Sequence, residues 1–289
     1  MGQDKRTLGD LRREIDAIDD ALHDLLIQRA EASSAIARVK QDAADGAPAI
    51  RPAREAIILR RLLARHRGNL APKAVVRIWR EIIAASLHMQ AKFQLHVCAG
   101  DNQAVYYDLA RAYFGSMMPI RIHTKASLVV HACAEEANAL GIVPMPAFEK
   151  PDSAWWSQLA PSGSHGPRVF AKLPFIGDGE DTPSAYAVGA VEQEASGDDT
   201  TLLVLEIVAG LSRAKLQTFF KDAGLETKLI AAARIAEESV PDEVLVEAKG
   251  FIAKDDPALA RFMEFAGDSV SSATPVGGFA NPVSVGETR

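Results

Sequence analysis

Three cationic side chains in the first 40 residues have a spacing that suits the binding of an anion. Arg29 interrupts a repeat of apolar residues at steps of three and four, the pattern of the inner seam of a helix bundle. A guanidinium that points into such a core is unfavourable unless a carboxylate or another anion meets it there. Lys40 follows three helical turns later on nearly the same face, so both side chains can lean toward one small ligand.

Arg12 lies on the same predicted helix but too far away to share that ligand. It precedes Arg29 by 17 residues, which corresponds to ~25 Å along a helix axis and about 100° around it. Arg12 can therefore join Arg29 only when it comes from a second copy of the chain. The spacing predicts a homodimer in which each chain completes the site of its partner.

Helical signals define the elements that must position these side chains. Between Asp10 and Asp45 there is neither Gly nor Pro, so the seam can run as one helix of ~50 Å. Pro52 and Pro72 are placed to open a second and a third helix, both shorter than the first. A second copy is therefore expected to cover the surplus length of the first helix. The apolar seam comprises Leu8, Leu11, Ile15, Ile18, Leu22, Leu25, Ala32, Ile36 and Val39.

Five segments of these helices together resemble the all-helical class of chorismate mutases. The resemblance covers about 80 residues in the order of that family and implies a three-helix, all-α domain that forms an intertwined dimer. The segments are LRREIDAID at 11–19, LLIQR at 25–29, ARVK at 37–40, RPAREA at 51–56 and IIAASLHMQ at 82–90.

The reaction implied by this resemblance is the intramolecular rearrangement of chorismate to prephenate, in the shikimate pathway toward phenylalanine and tyrosine. Chorismate is a dianion with a ring hydroxyl and an enolpyruvyl ether. Such an isomerase needs no nucleophile, cofactor or metal. The protein must hold the ether side chain over the ring and stabilise the negative charge that builds on the ether oxygen.

The resemblance also assigns roles to individual residues. Arg12 of the partner and Arg29 would bind the carboxylates, for which the planar fork of arginine is suited. Lys40 and Gln90 would donate to the ether oxygen, and Glu55 would accept the ring hydroxyl. The substrate-binding set is Arg12, Arg29, Lys40, Arg51, Arg54, Glu55, Ser86 and Gln90, and its catalytic members are Lys40, Gln90, Glu55 and Arg29.

Two of these positions have consequences of their own. The best-known members of the family carry an acidic residue where this chain has Arg51. The contribution that remains available there is a backbone N–H at the start of the second helix. Gln90 is a neutral amide, so it is expected to donate over a broad pH range, whereas a glutamate must first be protonated.

The remaining two thirds of the chain predict a different architecture. Residues 95–144 alternate strand, helix, strand, helix and strand, as in an α/β sheet. From Thr201 the order strand, helix, strand, strand, helix resembles an ACT-type βαββαβ domain, and the tail after Ser271 is rich in Gly, Pro and Ser and is predicted to be irregular. The expected domains are a mutase at 1–92, a truncated dehydratase-like lobe at 93–198 and an ACT-like domain at 199–289.

A mutase followed by such a region resembles the bifunctional chorismate mutase and prephenate dehydratase. The dehydratase-like part is short, and the usual Thr-Arg-Phe motif is replaced by Ser184-Ala185-Tyr186, which lacks the arginine that anchors a carboxylate. An inactive lobe with a structural or regulatory use is expected. Retained dehydratase activity and an isochorismate pyruvate lyase on the same helical scaffold remain alternatives.

Charge and composition help to distinguish these enzyme hypotheses from other classes of protein. Residues 1–92 carry a net charge of +5 and residues 93–289 a net charge of −11. A helical dimer that binds nucleic acid through its basic face is the alternative outside enzymes. Against it, Trp79 is the single aromatic residue before Phe93, and the acidic part would repel phosphates. No long apolar segment is evident, so a cytoplasmic protein without membrane contact is expected.

Overall fold

A computed structural model describes residues 6–42, 50–146, 151–160, 166–177, 182–233 and 242–284, without the side chains of 40–42, 101 and 151–153. The chain divides into two compact units, Met1–Ala49 and Ile50–Arg289. Among the described residues, no helix combines the length and the apolar character needed to cross a membrane.

The first unit contains the helix α1, Leu8–Asp42, which confirms the single long helix predicted from the sequence. Its start is fixed by reciprocal hydrogen bonds between Thr7 and Asp10. The Asp10 N–H donates to Thr7 Oγ1 over 3.1 Å, and the Thr7 N–H donates to Asp10 Oδ2 over 2.9 Å. This exchange satisfies backbone donors that the first helical turn leaves unpaired. The 35 residues of α1 correspond to a length of ~52 Å.

The second unit begins with two helices, α2 at Pro52–Arg65 and α3 at Pro72–Gln90, and both start with the predicted proline. The fixed φ of proline suits the first helical position, where its missing N–H is not needed. The two helices pack against each other and against the segment that follows the fourth strand. Their shared core contains Ala56, Leu59, Val76, Phe175 and Ile176.

The remaining elements form a nine-stranded sheet with its covering helices. The strands and helices are β1 Gln94–Cys98, α4 Gln103–Phe114, β2 Ile120–His123, α5 Ala126–Glu135, β3 Ala139–Pro144, β4 Arg168–Leu173, β5 Ile176–Gly177, β6 Ala185–Gly189, β7 Asp199–Ile207, α6 Arg213–Asp222, β8 Thr227–Ala233, β9 Asp242–Lys249, α7 Pro257–Ala266, β10 Val270–Ala280 and β11 Val283–Ser284. Short 3-10 segments lie at Gly100–Asn102, Pro151–Leu159 and Gly267–Ser269.

The sheet has the order β2-β1-β3-β6-β4-β10-β7-β9-β8, and β5 pairs separately with β11. Strands β1, β2 and β3 are parallel, with α4 and α5 as their connections, which is the α/β alternation predicted from the sequence. Strand β6 runs antiparallel to both β3 and β4. The fold class is therefore helical at the start of the chain and α/β after it, as predicted.

The last four long strands form a βαββαβ arrangement, in which β7, α6, β8, β9 and α7 follow the predicted order. Strand β7 lies between β10 and β9, β8 lies at the edge beside β9, and all three neighbouring pairs are antiparallel. Helices α6 and α7 pack together on this part of the sheet through the stacked rings of Phe220 and Phe262. Gly210 occupies the turn between β7 and α6 with a φ of 83°, a conformation that glycine adopts without strain.

The prediction of an irregular tail after Ser271 is wrong. Residues Val270–Ala280 form β10, which pairs with β7 and contacts β4 where Gly277 is opposite Val169. The glycine content reflects close strand packing instead of a turn, because a Cβ at position 277 would lie 2.1 Å from the Val169 carbonyl oxygen. Glycine in a strand often marks such a close approach of another backbone.

Candidate active site

The first turn of α2 carries three of the residues assigned from the sequence. Arg51 is the N-cap residue of the helix, Arg54 is exposed, and Glu55 is buried with 7% of its surface exposed. A carboxylate in a first turn is favoured by the positive end of the helix dipole. The structure therefore separates the adjacent Arg54 and Glu55 into an outward-facing cation and an inward-facing anion.

Glu55 forms a buried ion pair with Arg80 of α3. Arg80 Nη1 donates to Glu55 Oε2 over 2.7 Å, and only 3% of the Arg80 surface is exposed. Burial raises the pKa of Glu55, while the charge and the hydrogen bond of Arg80 act to lower it. A carboxylate has two oxygens with about four acceptor sites in total. Glu55 can thus accept a second hydrogen bond while it remains paired with Arg80.

Arg80 is in turn surrounded by aromatic rings. Its guanidinium carbon lies 3.8 Å from the centroid of the Tyr113 ring on α4 and 5.5 Å from that of Phe175, which follows β4. A cation held over an aromatic face is attracted by the ring quadrupole. Burial raises the pKa of Tyr113 to about 12, so its hydroxyl is neutral near pH 7.

Sequence reasoning did not assign Arg80 or its aromatic contacts to the site. A signal for Arg80 was present, because it lies four residues after Val76 and three before Ile83, on the apolar face of the third helix. Nothing comparable pointed to Tyr113 or Phe175. Each lies far from Arg80 in the sequence, and only the packing of α4 and of the segment after β4 brings them to it.

The last turns of α3 carry two more of the residues assigned from the sequence, Ser86 and Gln90. Ser86 is buried, and its hydroxyl donates to the Ile82 carbonyl oxygen over 3.0 Å. Gln90 is half-buried, and its Nε2 donates to the Ser86 carbonyl oxygen over 3.3 Å. The two residues are one turn apart on one face of the helix.

The other three assigned residues lie on α1. Arg12 is exposed and Arg29 is half-buried, and burial lowers the pKa of Arg29. An arginine nevertheless stays charged under any working condition. Lys40 lies within the helix, but its side chain is outside the described residues.

Arg51 has a partner of its own. Its Nη2 and Nε donate to the two carboxylate oxygens of Glu194 over 2.6 and 3.2 Å. This two-point contact satisfies the planar fork of the guanidinium. The Arg51 side chain therefore joins α2 to the segment between β6 and β7.

The segment that stands in place of Thr-Arg-Phe begins strand β6. Tyr186 is fully buried, and its hydroxyl donates to Glu247 Oε1 over 2.8 Å. The same carboxylate oxygen lies 3.2 Å from Lys172 Nζ. The Tyr186 hydroxyl and the half-buried Lys172 ammonium group thus share one acceptor on the nine-stranded sheet.

The segment that contains most of α1 and all of α2 and α3 matches the sequence model of a known protein family. Residues 11–91 match the family model of chorismate mutase type II. This match confirms the resemblance drawn from the sequence, and the matched segment spans all eight assigned site positions.

The similarity to two curated relatives covers more residues than the segment 11–91. A bifunctional chorismate mutase/prephenate dehydratase of Pseudomonas aeruginosa is 30% identical over 145 residues, which are 49% of this chain and 40% of that protein. A protein with the same name from Stutzerimonas stutzeri is 34% identical over 138 residues, 47% of this chain and 38% of that protein. This chain thus spans about two fifths of the length of the curated relatives that it matches.

Among solved structures, a prephenate dehydratase from Streptococcus mutans is similar at 12% sequence identity with a TM-score of 0.48. The similarity covers 67% of this chain and 100% of that chain.

Proposed function

We propose that this protein is a chorismate mutase that converts chorismate to prephenate. The observation that carries the proposal is the chorismate mutase type II match over residues 11–91. The proposal also includes the three domains expected at 1–92, 93–198 and 199–289, and a cytoplasmic location.

The proposed chemistry is positioning combined with charge stabilisation. Arg29 and the partner's Arg12 hold the two carboxylates of chorismate, while Glu55 accepts its ring hydroxyl through the oxygen that Arg80 leaves available. Lys40 and Gln90 donate to the ether oxygen as the C–O bond breaks. Binding the flexible ether over the ring lowers the entropic part of the activation barrier. Fixed donors aimed at the developing negative charge lower the barrier further by stabilising the transition state.

A homodimer is part of the proposal, because α1 has an exposed apolar face that a second chain can bury. Its eight large seam residues are 40% to 68% exposed in the single chain. Full burial of one such side chain contributes about 1.5 to 3 kcal/mol, and contiguous exposed apolar surface of this kind marks an interaction site. A second α1 offers the same pattern of apolar residues, and it supplies the Arg12 that the first chain cannot bring to its own Arg29.

The activity is tested by following chorismate consumption with product identification, on the full-length chain and on residues 1–92. Prephenate as the product supports the mutase. Salicylate with pyruvate would instead identify an isochorismate lyase. Salt-sensitive binding to DNA without any turnover would identify a helical nucleic-acid-binding dimer.

Sharing of the site between two chains is tested by complementation. Arg12→Ala and Gln90→Ala chains, each inactive alone, are co-expressed with different tags. If Arg12 acts in the partner's site, each mixed dimer contains one intact site, so about a quarter of the wild-type activity returns in a random mixture. Co-expression of Arg29→Ala with Gln90→Ala is the control, because both changes affect the same chain's own part of the site and no intact site can form. Absence of recovery in the first mixture would refute the shared site.

The names of the relatives favour prephenate dehydratase activity as a second candidate. The replacement of Thr-Arg-Phe by Ser184-Ala185-Tyr186 argues against it, because the arginine that would anchor a carboxylate is missing. We therefore propose that residues 93–198 are inactive as a dehydratase. Phenylpyruvate formed from supplied prephenate would overturn this part of the proposal.

A further inference from the structure

The ion pair of Glu55 with Arg80 lies against two aromatic rings from outside residues 11–91. We propose that Arg80 is a positioning residue of the mutase site, which holds Glu55 in place and charged, and that Tyr113 and Phe175 hold Arg80 in turn. This inference rests on the proposed function. The inference gives the residues that follow the segment 11–91 a role in the mutase reaction, because Tyr113 and Phe175 both lie there.

The need for Arg80 follows from the burial of Glu55. A carboxylate with 7% of its surface exposed has lost most of its hydration, which favours the protonated form. The ionised form offers only acceptor sites, and its charge makes the hydrogen bond from a ring hydroxyl stronger than one to the protonated form. Arg80 stabilises that form with a full charge and a hydrogen bond of 2.7 Å. Arginine keeps its charge even when it is itself buried.

Among the described residues packed around Glu55, the charge that faces it comes from Arg80. On the same helix, the neighbouring Arg54 is exposed and Arg51 is engaged with Glu194. Helix α4 presents Tyr113, which is buried and neutral. The protonation of Glu55 should therefore follow the charge at position 80.

The aromatic contacts explain how the pair keeps its geometry. The guanidinium carbon of Arg80 lies 3.8 Å from the centroid of the Tyr113 ring on α4. The next residue of α3, Glu81, accepts the Ser116 N–H from the turn after α4 through its Oε2 over 3.0 Å. Arg80 is thus held on one side by Glu55 of α2 and on another by α4. A displacement of α4 would move Arg80 and, through it, the carboxylate.

The experiment measures kcat, KM and the pH profile of kcat/KM for chorismate in the full-length chain. Arg80→Met removes the charge and Arg80→Lys retains it without the planar fork. Loss of an opposite charge shifts a carboxylate pKa by about 1 to 3 units. We expect Arg80→Met to move the acid limb of the profile upward by that amount, so that activity lost at neutral pH returns at higher pH. Arg80→Lys should recover part of the original profile.

The matched control is Arg60→Met. Arg60 is also an arginine near the Phe175 ring, at 5.9 Å, but its hydrogen bonds go to Ser196 and to the Asp198 carbonyl oxygen. Its replacement should lower stability and leave the pH profile in place. If Arg80→Met and Arg80→Lys lower activity by one factor at every pH, as a general loss of stability would, Arg80 has no positioning role.

A second variant applies if Arg80→Met does not fold. Tyr113→Leu keeps both charges and removes the ring under Arg80, so a smaller upward shift of the acid limb is expected, and an unshifted profile overturns the inference. A wild-type chain that leaves chorismate unchanged overturns the proposed function itself. Active wild type with unshifted variants overturns only the role of Arg80.

Discussion

The close approach of β10 to β4 gives a prediction whose size follows from the geometry. Gly277 has a φ of 131°, and a Cβ added there would lie 2.1 Å from the Val169 carbonyl oxygen and 2.5 Å from the Val169 nitrogen. An L-residue at such a φ costs about 1 to 3 kcal/mol, and overpacking against groups that cannot move costs about 1 to 3 kcal/mol more. Gly277→Ala should therefore lower the free energy of unfolding by about 2 to 6 kcal/mol.

Gly250→Ala is the control that separates these two contributions. Gly250 has a φ of 96°, but no heavy atom lies within 4 Å of a Cβ built on it. Its replacement should cost only the backbone strain, about 1 to 3 kcal/mol.

Urea unfolding followed by tryptophan fluorescence measures the loss of stability in both variants, because Trp155 and Trp156 are buried in a core of the unit Ile50–Arg289. The two variants are compared with the wild type under identical conditions. Equal losses in Gly277→Ala and Gly250→Ala would refute the reasoning, since they would mean that β4 yields to the new methyl group without cost.

Three further predictions concern the proposed site. Lys40→Ala and Gln90→Ala should each lower kcat about 100- to 1,000-fold with an unchanged circular dichroism spectrum, and retained turnover would remove that residue from the mechanism. In Gln90→Glu the new carboxyl group must be protonated to donate, so the turnover of this variant should fall as the pH rises. The neutral Gln90 amide of the wild type donates without such a dependence on pH. Arg51→Ala breaks an exposed pair with Glu194 worth about 0 to 1 kcal/mol; a loss of turnover beyond tenfold would show that the side chain binds substrate.

The helical part of the chain was predictable because its signals are local. The uninterrupted seam from Leu8 gave α1, and Pro52 and Pro72 marked the starts of α2 and α3. Local periodicity also predicted the alternating strands and helices of residues 95–144 and the order strand, helix, strand, strand, helix from Thr201. It failed at Val270–Ala280, where Gly, Pro and Ser were interpreted as irregular structure and form a long central strand. Partners on β4 and β7 stabilise this strand, and they lie far away in the sequence.

The amino-acid sequence by itself determined the helices, the order of most elements and the candidate anion-binding residues, because each depends on residue types at short and regular spacing. Only the tertiary structure decided that Glu55 is buried, that Arg80 pairs with it and that Tyr113 and Phe175 enclose Arg80. These contacts join residues up to 95 positions apart. Burial and charge pairing arise from the packing of whole elements, and no local pattern records which distant side chain will meet a buried charge.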